Sequence, residues 1–190
     1  MGVSETDMSS GDTVENKITV EPLDTDKHKR ENFSCGVTQV DNFLKQTVNK
    51  LTKADNLRSF VITDSDGGII GFYSTNAHSV DYYQLPSNFR RNRASHGSIP
   101  AAYISMIGVD SRFQGKGYGG FLLADCLTKI ARAAETIGIA VVMLDVLDCG
   151  DEEKVEKRVA LYKSYGFQSL PSQRLRMFLP LKDVKALLDS

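Results

Sequence analysis

The stretch Val109-Asp-Ser-Arg112-Phe-Gln-Gly115-Lys-Gly117-Tyr-Gly119-Gly120-Phe121 places four glycines within six residues. Before it, residues 101–109 (AAYISMIGV) form an apolar run of buried-strand length. After it, Leu122, Cys126, Ile130, Ala133 and Ile137 recur at roughly four-residue intervals. That spacing predicts an amphipathic helix of about five turns, stopped by Gly138 as a left-handed cap. A glycine loop between strand and helix leaves backbone N–H groups uncovered at the positive end of the helix dipole. Arg112 and Lys116 add full charges nearby, so the loop reads as a phosphate or pyrophosphate site. The competing reading is a glycine-rich turn that lets the helix pack close to the sheet.

Gly115, Gly117 and Gly120 spell the dinucleotide fingerprint GxGxxG, and Asp145 lies further on where a ribose-binding acid would be sought. The surroundings oppose it. The fingerprint glycines follow their strand directly, whereas Asp110–Gln114 intervene here, and only about 70 residues remain for a second mononucleotide half. A P-loop is excluded because no GxxxxGK followed by Ser or Thr occurs.

Upstream, residues 18–23 (ITVEPL) alternate and predict a short first strand. Val40, Phe43, Leu44, Val48 and Leu51 give the next helix its apolar face. Residues 59–63 and 69–75 are strand-like runs joined by Asp-Ser-Asp-Gly-Gly, a hairpin signal, and residues 76–81 extend the meander. Residues 84–98, with Arg90, Arg91 and Arg93, read as an exposed basic loop. Downstream, residues 139–147 predict a strand, Val155, Val159 and Tyr162 share the inward face of a charged helix, and residues 174–181 predict the last strand. This order predicts a single α/β (α+β) domain over residues 17–190.

The full chain has 190 residues and a net charge of −1. Residues 1–16 hold Glu5, Asp7, Asp12 and Glu15, no Lys or Arg, and almost nothing apolar to bury, so they predict a disordered acidic tail. The body is then +3, which neither demands nor excludes an anionic partner. No apolar run reaches the roughly 18 residues of a membrane span, and the N-terminus lacks the regions of a signal peptide, so a cytoplasmic protein is expected. Cys35, Cys126 and Cys149 have no metal-ligand spacing, and Cys126 reads as a core residue.

Arg112-Phe-Gln-Gly115-Lys-Gly117 resembles the Q/R-x-x-G-x-G/A motif of the GNAT superfamily of N-acetyltransferases. Leu161-Tyr162-Lys-Ser-Tyr-Gly166-Phe167 resembles its FYxxxGF element, and the likeness covers residues 18 to 182. Within the superfamily, Cys35–Lys45 and residues 176–181 (RMFLPL) resemble the branch of toxins paired with ribbon-helix-helix antitoxins. The resemblance implies the GNAT fold, a mixed sheet with an antiparallel N-terminal meander, splayed strands and flanking helices.

It also implies a chemistry. Acetyl-CoA would be the co-substrate, its pyrophosphate held by Gln114, Gly115, Lys116, Gly117, Tyr118 and Gly119 with Arg112 beside them. Its pantetheine arm would pair with Ile107, Gly108 and Val109, and the Val109 N–H would polarise the thioester carbonyl. Tyr162 would protonate the departing thiolate, with Tyr165 fitting the motif less well. Residues 101–109 contain no Asp, Glu or His, so the base is unassigned among Ser105, a water relay and prior deprotonation. The expected activity is acetyl transfer to a primary amine of a small molecule or protein. The alternatives are toxin-type action on aminoacyl-tRNA, with an antitoxin partner, and an acyl-CoA-binding module without turnover. A homodimer is left open.

Overall fold

In a computed structural model, residues 18–90 and 97–189 are described. The acidic segment 1–16 and the Arg91–Arg93 part of the basic loop lie outside the described residues.

The chain forms β1 (Glu21–Pro22), α1 (Thr38–Asn42), a π-helical turn (Phe43–Thr47), α2 (Val48–Lys53), β2 (Arg58–Thr63) and β3 (Ile69–Asp81). After a 3-10 turn at Tyr82–Gln84 come α3 (Ser87–Arg90) and β4 (Ser98–Val109). A second 3-10 turn, Ser111–Phe113, leads to α4 (Tyr118–Ala133), β5 (Val141–Asp145) and α5 (Glu152–Ser164). β6 (Gln168–Leu170), β7 (Gln173–Pro180) and α6 (Leu181–Leu188) complete the chain. The seven strands form one sheet in the order β1-β2-β3-β4-β5-β7-β6. Among the described strands, only β4 and β5 pair in parallel.

The meander, the strand–loop–helix unit and the charged helix stand where the sequence pattern puts them. Three expectations are corrected. The first strand shrinks to two residues, because Pro22 has no N–H to extend the ladder and sits on the sheet edge. α4 ends at Ala133, and Gly138 lacks a positive φ. A tight turn instead takes over, with Glu135 N–H donating to Arg132 O and Thr136 Oγ1 to Ala133 O, which leaves Ile137 exposed. Third, β6 and α6 add to the predicted last strand; at three and eight residues they are too short to establish a period.

Both sheet faces are covered. α4, α5 and α6 bury Leu122, Leu123, Cys126, Val155, Val159 and Val184 against Ile70, Tyr73, Ile104, Leu144 and Met177. α1 and the helical turns after it bury Val40, Phe43, Leu44 and Val48 against Val61, Ile69 and Phe72 on the other face. Further along that second face, Ala101, Val141, Met143 and Phe178 form another apolar cluster.

Two features open this sheet. β4 and β5 pair from Ala101↔Val141 to Ile104↔Leu144 and no further, although β4 continues five residues to Val109. At that fork Ser74 pairs with Met106 while Thr75 pairs with Ile104, so Ser105 is an extra, bulged residue. The bulge inverts the alternation. Ala102 and Ile104 face α4, and beyond the bulge it is Ile107 and Val109 that pack on that side. Met106 and Gly108 turn to the α1 face instead.

Candidate active site

The fork creates a backbone edge. Asp110 N–H donates to Ile70 O at 2.8 Å, which makes that position a hydrogen-bonded pair of the β3–β4 ladder. Alternation then places Val109 and Ile107, opposite Gly71 and Tyr73, in the wide pairs. Their N–H and C=O groups point away from β3 into the gap that β5 leaves. Gly108 between them points its missing side chain at α1, where a Cβ would come within 2.9 Å of Val40 Cγ1. An extended, amide-rich chain can add to this edge as a strand. Residues Tyr103–Val109, Leu144–Asp148, Cys35–Val37, Gly119, Arg158 and Tyr162 line the cleft so formed.

At the mouth, Gly117 is the N-cap of α4 with φ +86°, and it offers no side-chain cap to the first-turn N–H groups. Gly115 is also left-handed, at φ +76°. A Cβ at either would meet nothing within 4 Å, so close packing does not explain these two glycines. The close approach of helix to sheet occurs at Gly71 of β3, where a Cβ would come within 2.8 Å of Leu122. The loop is therefore a left-handed backbone cradle with space above it, of the kind that receives anions.

The cations of this loop are arranged differently from a simple phosphate clamp. Arg112 Nε donates to Asp110 Oδ1 at 2.8 Å and its Nη2 to Oδ2 at 3.0 Å, so the guanidinium is committed to a buried carboxylate. Asp110 also accepts the N–H groups of Arg112 and Ser34. Burial alone would raise its pKa, but these bonds outweigh burial and hold the carboxyl below its usual range. Arg112 thus ties the 3-10 turn to the end of β4, with the Lys116 ammonium 5.2 Å above the Phe113 ring beside it. Gln114 works likewise, its Nε2 donating to Val109 O and Cys35 O, both at 2.9 Å. Tyr118 packs its ring edge-on against Phe113 at 6.2 Å.

Asp110 escaped the sequence reading because a lone Asp after a strand has no pattern. The Gln114 position had a readable signal. Gln114-Gly-Lys-Gly117-Tyr-Gly119 also spells Q-x-x-G-x-G, two residues after the first match, and that register puts its glycines on the helix start. Replacing Asp110 with Asn should lower unfolding free energy by about 1–2 kcal/mol at pH 7, through weakened charge-assisted bonds. Because the folded pKa is depressed, this contribution is present above the unfolded value and lost as pH falls through the folded one. In denaturant melts the gap between variant and wild type should therefore narrow as pH is lowered from 7 into the acid range below the ordinary carboxylate value.

Tyr162 and Tyr165 separate clearly. Tyr165 donates its hydroxyl to Gly120 O at 3.1 Å, pinning α5 to the first turn of α4. Tyr162 is buried beside Phe167 and lines the cleft, and its hydroxyl has no hydrogen-bond partner among the described residues. Burial pushes the phenol up to about 12, with the Arg158 charge pulling the other way. It is a neutral, available O–H donor at physiological pH.

Comparison with known proteins identifies the family of this fold. Residues 56–169 match the family model described as "Acetyltransferase (GNAT) domain". The chain is 61% identical over 173 residues to "Probable toxin TacT" of Sinorhizobium fredii, covering 90% of this chain and 96% of that protein. It is 31% identical over 156 residues to "tRNA-acetylating toxin" of Mycobacterium tuberculosis, covering 82% of this chain and 88% of that one. Among solved structures, "AtaT complexed with acetyl-methionyl-tRNAfMet" superposes with a TM-score of 0.78 at 22% identity, covering 90% of this chain and 99% of that one. With a family model matched over more than half its length, on a forked sheet and a glycine cradle of the expected form, the chain belongs to the GNAT acetyltransferase family.

Proposed function

We propose that the protein transfers the acetyl group of acetyl-CoA to the α-amino group of an aminoacyl-tRNA, and that an antitoxin restrains it in the cytoplasm. The acceptor rests on one observation, the likeness at 31% identity to a protein named as a tRNA-acetylating toxin. The 61% likeness to a probable toxin supports the same branch. On this reading the acceptor is the aminoacyl-tRNA alternative rather than the small or protein amine expected from the sequence. Lys154, Lys157 and Arg158 lie together along the cleft, but Lys154 and Lys157 are paired with Asp151 and Glu153, and Asp145 and Asp148 line the same cleft, so the acceptor rests on the likeness rather than on charge.

Each part of the mechanism then has a group in this chain. The Gly117–Gly119 cradle receives the pyrophosphate, and the coenzyme arm descends along the free edge of Val109 and Ile107 towards the fork. The N–H of Val109, or that of Ile107 one repeat deeper, polarises the thioester carbonyl. The amine attacks, the carbon–sulfur bond breaks, and the Tyr162 hydroxyl donates its proton to the sulfur. Residues 17–190 are one catalytic unit on this reading, and residues 1–16 play no part in the chemistry.

The test is thiol release from acetyl-CoA with charged tRNA, uncharged tRNA, free amino acids and peptides. Release dependent on the aminoacyl ester is expected. Release with peptides or free amines alone would overturn the acceptor.

A further inference from the structure

Outside the residues that serve the coenzyme, the described residues hold one cluster of titratable side chains at the fork. Asp145 is the last residue of β5, just past the final β4–β5 pair and level with the bulged Ser105. Its Oδ2 accepts the Tyr103 hydroxyl at 2.9 Å, and its Oδ1 lies 3.5 Å from Arg176 Nε. Arg176 donates through Nη2 to His78 Nε2 at 3.2 Å, and the His78 ring packs on Tyr103 at 5.1 Å. The four residues come from β3, β4, β5 and β7, and register places all four on the α1 face of the sheet. Tyr162 approaches from the α4–α5 face.

Asp145 and Tyr103 nevertheless line the same cleft as Ile107, Val109 and Tyr162. A thioester lying on the free edge of β4 therefore has the proton donor on one side and a carboxylate on the other. Asp148, the second carboxylate of the cleft, is held among the described residues only by the Gly150 N–H of its own turn, with no side chain to orient it. Asp145 keeps a solvent-facing side, with its side chain 45% exposed, while Tyr103 and Arg176 fix its orientation.

We infer that Asp145 is the group that receives the acceptor amine, with Tyr103 and Arg176 as its positioning residues. This rests on the acetyltransferase reading and supplies the amine partner that residues 101–109 lack. An N–H of the neutral amine donates to the carboxylate, which aims the nitrogen lone pair at the thioester carbon. As the nitrogen–carbon bond forms, positive charge develops on nitrogen next to a fixed negative one, an interaction strongest in the transition state. The carbon–sulfur bond then breaks. Nitrogen's surplus proton leaves through Asp145 to solvent, sulfur takes the Tyr162 proton, and Tyr162 recovers one from solvent.

Asp145→Asn keeps an acceptor for Tyr103 and the side-chain shape, so the fold should persist. With charged tRNA its kcat/KM should fall about 100-fold. Acetyl-CoA affinity, measured by titration, should stay within about twofold, because the carboxylate acts on the acceptor amine in the transition state and not on the bound coenzyme. Tyr103→Phe, which frees the carboxylate without removing it, should lose about tenfold, mostly as a rise in acceptor KM. Wild-type kcat/KM in Asp145→Asn, or equal losses in acetyl-CoA affinity and turnover, would overturn the assignment. The acceptor itself is judged separately on the unmodified enzyme. If that releases thiol with amino-acid methyl esters but not with charged tRNA, the tRNA reading fails and the same Asp145 ratio is read on the esters. If it releases thiol with neither, both readings fail.

Discussion

Replacing Tyr162 with phenylalanine should lower kcat tenfold or more while leaving acetyl-CoA affinity within about twofold. The variant deletes one oxygen. In the folded protein the ring is buried while that oxygen faces the cleft and has no hydrogen-bond partner among the described residues, so it contributes no bond to stability. Loss of a cleft-facing hydroxyl with no protein partner should leave the melting temperature unchanged. A structural tyrosine would behave in the opposite way, losing stability before turnover. Tyr165→Phe is the internal control, because it removes the bond to Gly120 O. That variant should lose about 1 kcal/mol of stability. Steady-state thiol release and thermal melts on both variants separate the two roles, and wild-type turnover in Tyr162→Phe would overturn the assignment.

The pH dependence follows from the same residue. With its phenol pushed up to about 12, Tyr162 stays protonated through the whole neutral and alkaline working range. The limiting ionisation is then that of the acceptor, whose α-amine must be neutral to attack, near pH 8. Turnover should rise through that pH and show no fall before pH 10. Because the folded pKa lies above the ordinary value of about 10, stability contributed by this group is full below pH 10. It is lost as pH rises towards 12.

Much of this was legible in the primary structure, and the limits have physical causes. The strand, glycine loop and helix from Ala101 to Ala131 announce themselves because burial periodicity and backbone conformation leave marks on residue type. Tyr162 was legible because Val155 and Val159 define an inward helix face that it shares. The bulge at Ser105 was not, since it depends on the register of β3 against β4, which no local pattern encodes. Asp145 was noticed only as a ribose-binding candidate, and its cluster with Tyr103, Arg176 and His78 stayed invisible because the four meet across four strands and up to 98 positions of sequence. Arg112 shows a second limit. Its place in a motif suggested a cation for phosphate, while its nearest anion, Asp110, sits two residues away in the same chain.

Replacing Gly117 with aspartate should raise the dissociation constant for acetyl-CoA about 100-fold or more without unfolding the protein. Gly117 caps α4 at φ +86°, and Asp and Asn are the side-chain-bearing residues that best tolerate that region. An Asp at a helix N-terminus also interacts favourably with the helix dipole. A Cβ there meets nothing within 4 Å, so the fold has room. What the new carboxylate does meet is the volume proposed for a pyrophosphate. Two like charges about 4 Å apart at a partly screened surface repel by about 4 kcal/mol, more than enough for the expected loss. Gly117→Asn supplies the same bulk without the charge and should lose about tenfold at most, so the ratio of the two variants measures the anion directly. Salt should narrow that ratio. Equal binding in Gly117→Asp and the wild type would show that this cradle holds no phosphate, and the coenzyme would have to enter the fork from elsewhere.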